Sequence, residues 1–404
     1  MVDVDRVREL IEPYQNGTDT KYTQISLRNK SYSEAAAQVL AEYLGTLTHL
    51  EIADLADMIA GRPEDEALKV LSAICDALQG HEWTEIDLSD NALGEKGIRA
   101  CMGVLQAQDK LERLYFCNNG ISSAAAGVIA DEVVLFRGED IPTKLRLFHF
   151  YNNMSGDGGA EALARILPLS PELTDLRFSA TRAGRAGCSS FAKNMVGLAN
   201  LCHVDLSDNT FGIEGARELV PALRGCSQLQ TLNLRDTSIE DEGAEAVCSA
   251  ITNCTTLRVL DLSGNEITKK GMVQVAATLK RFTKLEKLLL EENEIGTTGA
   301  LLLSRVLSDL PQLEQLILNV NEIGSKGGVA VVKAITQASR VAQLELDGNQ
   351  FDADGLSQIE QHLLSVEKET ILGSMEDNDD EAEDEEEQDE QDDLIAQFES
   401  SVKI

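Results

Sequence analysis

The chain has 404 residues, with 35 Lys and Arg against 69 Asp and Glu, a formal net charge of −34. Charged residues make up 26%, the usual share, so the abnormality is in the sign. That sign argues against binding a phosphate backbone, which needs Lys and Arg, and favours basic or neutral protein partners. Hydrophobic residues reach 43% but aromatics only 4%, so a large aliphatic core is expected. No run approaches ~18 apolar residues and the start, MVDVDRVREL, is acidic and polar, so a soluble intracellular chain without membrane span or signal peptide is expected.

Residues 1–21 read as an N-terminal cap ahead of a tandem repeat. Aligned on L-x-x-L-x-L-x-x-N, segments start at Trp83, Leu111, Leu145, Leu173, Leu201, Leu229, Leu257, Leu285, Leu313 and Val341, typified by WTEIDLSDN and LRVLDLSGN. Steps between them are 28 residues except Leu111 to Leu145, which is 34. Two weaker units, YTQISLRNK from Tyr22 and LTHLEIADL from Leu47, bring the total to twelve. The alternating apolar residues of each unit form a short strand, and the following segment, such as Gly299, Ala300, Leu303 and Leu307, has helical spacing. The implied fold is α/β, a leucine-rich repeat solenoid over 22–370. Strands stack at ~4.8 Å and helices at ~8 to 10 Å, so a horseshoe with its parallel strands on the concave face and its helices on the convex face is expected.

The ninth position holds Asn91, Asn119, Asn153, Asn209, Asn265, Asn293, Asn321 and Asn349, which should satisfy backbone groups where the chain leaves each strand. Eight cysteines form no Cys-x-x-Cys pair, and Cys226 and Cys254 stand 28 residues apart, so they read as small repeat-core hydrophobes and not as disulfides or zinc ligands. Glycine pairs such as Gly296 with Gly299 recur at one place in the repeat and so do not form a phosphate-binding loop. His81-Glu82 lacks the second zinc ligand, since position 85 is Glu85. The other histidines are scattered, with His49, His149 and His203 falling in strand segments. Nothing suggests a nucleophile with its base, a cofactor or a metal site, and binding of another protein is the expected role.

Two places break the rhythm. The step from Leu47 to Trp83 is 36 residues, and its excess falls in ADLADMIAGRPEDEALKVL, where Gly-Arg-Pro runs into a helix start with Glu64, Asp65 and Glu66. Arg62 is expected to project from this loop at the strand-exit edge, as an exposed surface residue or as a contact for an anionic group. The second excess, in 131–145, follows a helix and reads as a solvent loop on the opposite edge. From Glu376 to Asp393 there are 14 acids and no base. Residues 371–393 therefore read as a disordered acidic tail. In 394–404, Leu394, Ile395, Phe398 and Val402 suggest a marginal terminal helix or a docking motif.

The repeats, the LEIADLADMIAGRPEDEAL segment, SDNALGEKGIRA, LYFCNNG and the acidic tail together resemble the Ran GTPase-activating protein family, most like its plant and green-lineage members. The resemblance implies a protein that is not itself the GTPase but stimulates GTP hydrolysis by Ran in nucleocytoplasmic transport. Its functional arginine matches Arg62, and its functional asparagine matches Asn118, the residue before the ladder Asn119. It implies Ran-GTP as partner, carrying its own GTP and magnesium, a Ran-binding protein as a further partner, and a monomeric, cytoplasmic, perinuclear chain without nucleic-acid or membrane partners. In this family the arginine is not regarded as a finger entering the GTPase site. The tail would complement a basic surface on Ran and raise the encounter rate. Against the family pattern the chain is expected to lack the land-plant targeting domain and the vertebrate sumoylated domain, and it places Glu64 where some members carry a base. The same acidity also fits a non-catalytic binder of basic proteins, of the histone-chaperone or inhibitor type, and the repeats alone fit a ribonuclease-inhibitor-like adaptor.

Overall fold

A computed structural model describes residues 2–15, 22–138, 140–337, 340–379 and 388–402. The chain divides into two compact units, residues 1–198 and 199–404. In the first, strands β1 (Gln24–Ser26), β2 (Ile52–Asp54), β3 (Glu85–Asp87), β4 (Arg113–Tyr115), β5 (Leu147–Tyr151) and β6 (Asp175–Ser179) pair in parallel in sequence order. In the second, β7 (His203–Asp205), β8 (Thr231–Asn233), β9 (Val259–Asp261), β10 (Lys287–Leu289), β11 (Gln315–Ile317) and β12 (Gln343–Glu345) do the same. Helices alternate with the strands, so each unit is the leucine-rich repeat solenoid that the spacing predicts.

The apolar alternation explains this packing. Leu257, Leu260 and Leu262 of one repeat and Leu285, Leu288 and Leu290 of the next are all fully buried. The core is aliphatic as expected, except for a stacked run of Phe148, Phe150, Phe178 and Phe191 in the first unit. There the two longest strands lie side by side, their extra residues pairing Phe150 with Phe178. No disulfide joins the eight cysteines, seven of which are buried. Cys254 Sγ meets the carbonyl of Cys226 at 3.2 Å, so their equal repeat position is a real contact.

The structure moves one register. Pairing of Ile52 with Glu85 sets Leu50, and not Leu47, opposite Trp83. Both leucines are buried, and they are three residues apart, so either satisfies the L-x-x-L pattern. Only strand pairing separates them. Leu47 instead closes the turn after the helix Glu34–Leu44, its N–H donating to the Leu44 carbonyl. His49 consequently precedes the strand and does not lie in it. In the second irregular segment, the helix Ser123–Val128 widens into a π-turn over Ile129–Val134 that buries Val133. Extra residues are thus accommodated within a helix as well as in the exposed loop beyond it.

Beyond residue 370, the expected end of the repeats, the chain continues along the stack. Leu372 bridges to Leu344, Gly373 N–H donates to the Leu344 carbonyl, and Asn378 Oδ1 accepts from Asn349 N–H at 2.9 Å. This half-repeat supplies the last ladder asparagine with the acceptor that Asn91, Asn119, Asn265 and Asn321 find in the asparagine of the next repeat. Of the expected disordered tail, 371–393, residues 380–387 lie outside the described residues. After them comes a helix, Gln388–Ser401, which takes in the tail's last six residues and begins six before the expected 394.

Buried asparagines join the repeats. Asn265 Nδ2 donates to the carbonyls of Leu234, Leu262 and Ser263, while its Oδ1 accepts from Thr237 N–H and Ile239 N–H. One side chain therefore pairs five backbone groups of two adjacent repeats. Each buried group left unpaired costs about 1–3 kcal/mol. Asn265→Ala is accordingly expected to lower stability by roughly 3 kcal/mol or more, read as a shifted urea midpoint followed by circular dichroism; a shift too small to measure would contradict the ladder's role.

Candidate functional site

The loop between β2 and the helix Glu64–Ala77 is longer than its counterparts. That helix starts six positions after Met58, the ninth residue of its repeat, whereas the next starts at Gly94, three after Asn91. Gly61 turns the loop with φ +71°, a left-handed conformation that glycine takes without strain, and Arg62 N–H donates to the Ile59 carbonyl at 3.1 Å. Pro63 in extended conformation then leads into the first helical turn, whose acids Glu64, Asp65 and Glu66 suit the positive end of the helix dipole.

Arg62 does not project. Its side chain is 9% exposed and folds back along the loop. Nε donates to Ser31 Oγ at 2.9 Å and Nη1 to the Glu66 carboxylate at 3.2 and 3.4 Å. Ser31 Oγ in turn donates to the Ala60 carbonyl at 2.7 Å, and Glu66 Oε1 accepts Glu34 N–H at 3.3 Å. The guanidinium is therefore the hub that pins the second repeat's loop to the first repeat. Periodicity contains no signal for this, because Ser31 becomes a neighbour only through stacking.

Asn118 lies on the same edge with a different duty from Asn119. Asn119 is fully buried and donates to the Leu88 carbonyl, whereas Asn118 is exposed. Its φ is +54°, and the eighth residue of every repeat shares this left-handed conformation, from Asn29 at +56° to Gly348 at +68°. Asn, Asp and Gly tolerate that region best, so residue type at position eight has a structural cause before any functional one. The side chain then joins an exposed chain: Asn152 Nδ2 donates to Asn118 Oδ1, and Asn118 Nδ2 donates to Asp90 Oδ1, each at 2.9 Å.

Asp90, which accepts from Asn118, also lines a depression with Arg62. This open depression of about 800 Å³ is lined by Arg62 and Glu64 on one side and by Asp90, Glu95, Lys96 and Arg99 on the other. Glu64 is ion-paired with Lys96, so a base does flank the loop, supplied from the next repeat. Ser31, Glu66, Asp90, Lys96 and Asn152 are the members of this site that linear reading misses. On the neighbouring strands the same unit places His149 Nε2 2.9 Å from Asp175 Oδ1 and Arg177 over the Tyr151 ring. Burial, with Glu85 adding to it, pushes the Tyr115 phenol up to about 12, so it stays protonated at neutral pH. Among the described residues, no group of three or more His, Cys, Asp or Glu is placed to hold a metal ion, and no helix is long and apolar enough to cross a membrane.

The fold has known relatives. A family model described as "Leucine Rich repeat" matches residues 225–248 and 253–276. The structure of an internalin from Listeria monocytogenes superposes with a TM-score of 0.52 at 17% identity, covering 89% of this chain and 92% of that one, which speaks to fold alone. These matches and the strand register define a leucine-rich repeat protein. In sequence, the chain is 42% identical over 115 residues to RAN GTPase-activating protein 2 of Arabidopsis thaliana, and 40% identical over 115 residues to RAN GTPase-activating protein 1 of the same plant. These stretches cover 28% of this chain and 21% of either relative. Ran GTPase-activating protein 1 of Xenopus laevis is 27% identical over 182 residues, 43% of this chain and 30% of that protein. The chain is thus similar, over part of its length, to Ran GTPase-activating proteins, and it spans about a fifth of the length of the first curated relatives it matches.

The geometry separates two effects of substitution. Arg62→Ala leaves Glu66 without its partner in a half-buried position and is expected to cost about 1–2 kcal/mol. Asn118→Ala removes only exposed bonds and an αL preference, a loss within about 1 kcal/mol. Thermal unfolding of both variants measures this difference, and a larger loss for Asn118→Ala would reverse the assignment.

Proposed function

We propose that this chain activates GTP hydrolysis on the small GTPase Ran, using the edge that carries Arg62 and Asn118. The GTP, the magnesium and the bonds that change all belong to Ran, so the chain contributes positioning and charge. The observation that carries the reading is the lengthened loop, held by an arginine whose Nε and Nη1 donate to Ser31 and Glu66. It is supported by the similarity to named Ran GTPase-activating proteins. An arginine entering the partner's active site would first have to leave both bonds. We therefore assign Arg62 the role of presenting the loop in a fixed shape, with the Asn152–Asn118–Asp90 chain offering polar groups beside it. On this reading the protein works as a monomer in the cytoplasm and at the nuclear periphery, with a Ran-binding protein as a further partner, in support of nucleocytoplasmic transport.

A second reading rests on the 14 acids between 376 and 393, which also suit a binder of basic proteins. Capture of histones without capture of Ran-GTP would favour it. For the main reading, single-turnover hydrolysis by Ran-GTP at saturating chain is the test. Arg62→Ala is expected to lose about two orders of magnitude of stimulation, since small misplacements cost that much, and Glu66→Gln to lose about tenfold because it loosens the same loop. Full stimulation by Arg62→Ala would remove this residue from the site. Full stimulation by Glu66→Gln with loss in Arg62→Ala would mean that the guanidinium itself reaches the GTPase.

A further inference from the structure

The helix Gln388–Ser401 lies against the second unit, on the helices Gly271–Leu279 and Gly296–Ser304. Its buried stripe is Gln391, Leu394 and Phe398, at 5%, 8% and 3% exposure and at i, i+3, i+7 spacing. Gln391 is fixed from two repeats: its Nε2 donates to Thr298 Oγ1 at 3.2 Å and its Oε1 accepts from Lys326 Nζ at 2.8 Å. Glu390 pairs with Lys269 at 2.7 Å and Lys270 at 3.8 Å, and Glu399 pairs with Arg305 at 3.0 Å. Beside Lys270, on the same face as Glu390, a depression lined by Glu240, Asp241, Glu242 and Glu245 meets Gln397 and Ser401, which are uncharged. The seat therefore has an apolar floor, bases from several repeats around it, and acids beyond Lys270. The helix matches it with apolar anchors inward, acids on the bases and neutral polar residues beside the acids. Four bases on one face stand out in a chain of net charge −34.

We propose that this seat is a docking site for an acidic amphipathic helix, occupied in this chain by its own residues 388–401 and open, when that helix lifts off, to a partner's helix of the same pattern. The contacts favour exchange. Its ion pairs are partly exposed and screened by salt, and its apolar attachment rests on Leu394 and Phe398. The pattern a partner needs is Glu-Gln-x-x-Leu-x-x-x-Phe-Glu, with neutral residues at the positions of Gln397 and Ser401. This site is independent of the edge assigned to Ran.

The test uses the full chain with Leu394→Asp and Phe398→Asp, which unseat the native helix, and a fluorescent peptide of residues 388–402 as probe. The variant is expected to bind the peptide at least tenfold more tightly than the unaltered chain, and Lys269→Glu with Arg305→Glu added should reverse that gain. Hydrogen exchange on the unaltered chain should find the amides of 388–401 exchanging at least a hundredfold faster than those of 271–279. Equal protection of the two helices, loss of the cooperative urea transition in the unseated variant, or its failure to bind the peptide while folded would each overturn the proposal, because the helix would then be a fixed part of the core.

Discussion

Everything in this molecule depends on one constraint, the pairing of backbone groups where each short strand ends and the chain turns toward its helix. Strands so short cannot satisfy the turn that follows them. A buried asparagine in the ninth position does so from inside, donating to its own repeat and the one before while accepting from the turn it covers. Where threonine occupies the place, as Thr237 does, its hydroxyl reaches the Leu234 carbonyl and leans on Asn265 of the next repeat. The ladder is therefore cooperative along the stack, and it needs an end. Asn378 provides one, which explains why order continues past the last recognisable repeat.

The same turn forces the residue before the ladder into the left-handed region and points it outward. In the first five repeats position eight thus becomes a row of small polar side chains, Asn29, Asp57, Asp90, Asn118 and Asn152, along one edge. The role proposed for Asn118 builds on this row: the backbone supplies the exposure and favours the residue type, and the neighbours Asp90 and Asn152 orient the amide. Asparagine at 118 alone therefore says little about function, and its pairing with the lengthened loop of the second repeat says more.

That loop shows how far patterning reaches. The excess length, the Gly-Arg-Pro turn and the acidic helix start were all legible, because they depend on local conformation. The direction of Arg62 was not, since Ser31 and Glu34 approach it only once the first repeat stacks on the second. The choice between Leu47 and Leu50 failed for a related reason: both bury apolar side chains, and only hydrogen bonding between strands distinguishes them. The terminal segment repeats the lesson. Its acids argue for disorder when counted along the chain, yet Glu390 and Glu399 find Lys269 and Arg305 from distant repeats.

By itself, the sequence determined the repeat length, the α/β architecture, the aliphatic core and the ladder positions, because these follow from periodicity and from the obligation to pair buried backbone. It also singled out Arg62 and Asn118 by irregularity and resemblance. Tertiary structure alone decided that Arg62 is a buried clamp, that the stack closes on Asn378, and that the C-terminal helix has a seat. Each of those outcomes is made by side chains from different repeats, and their proximity arises from stacking, a quantity that no local pattern encodes.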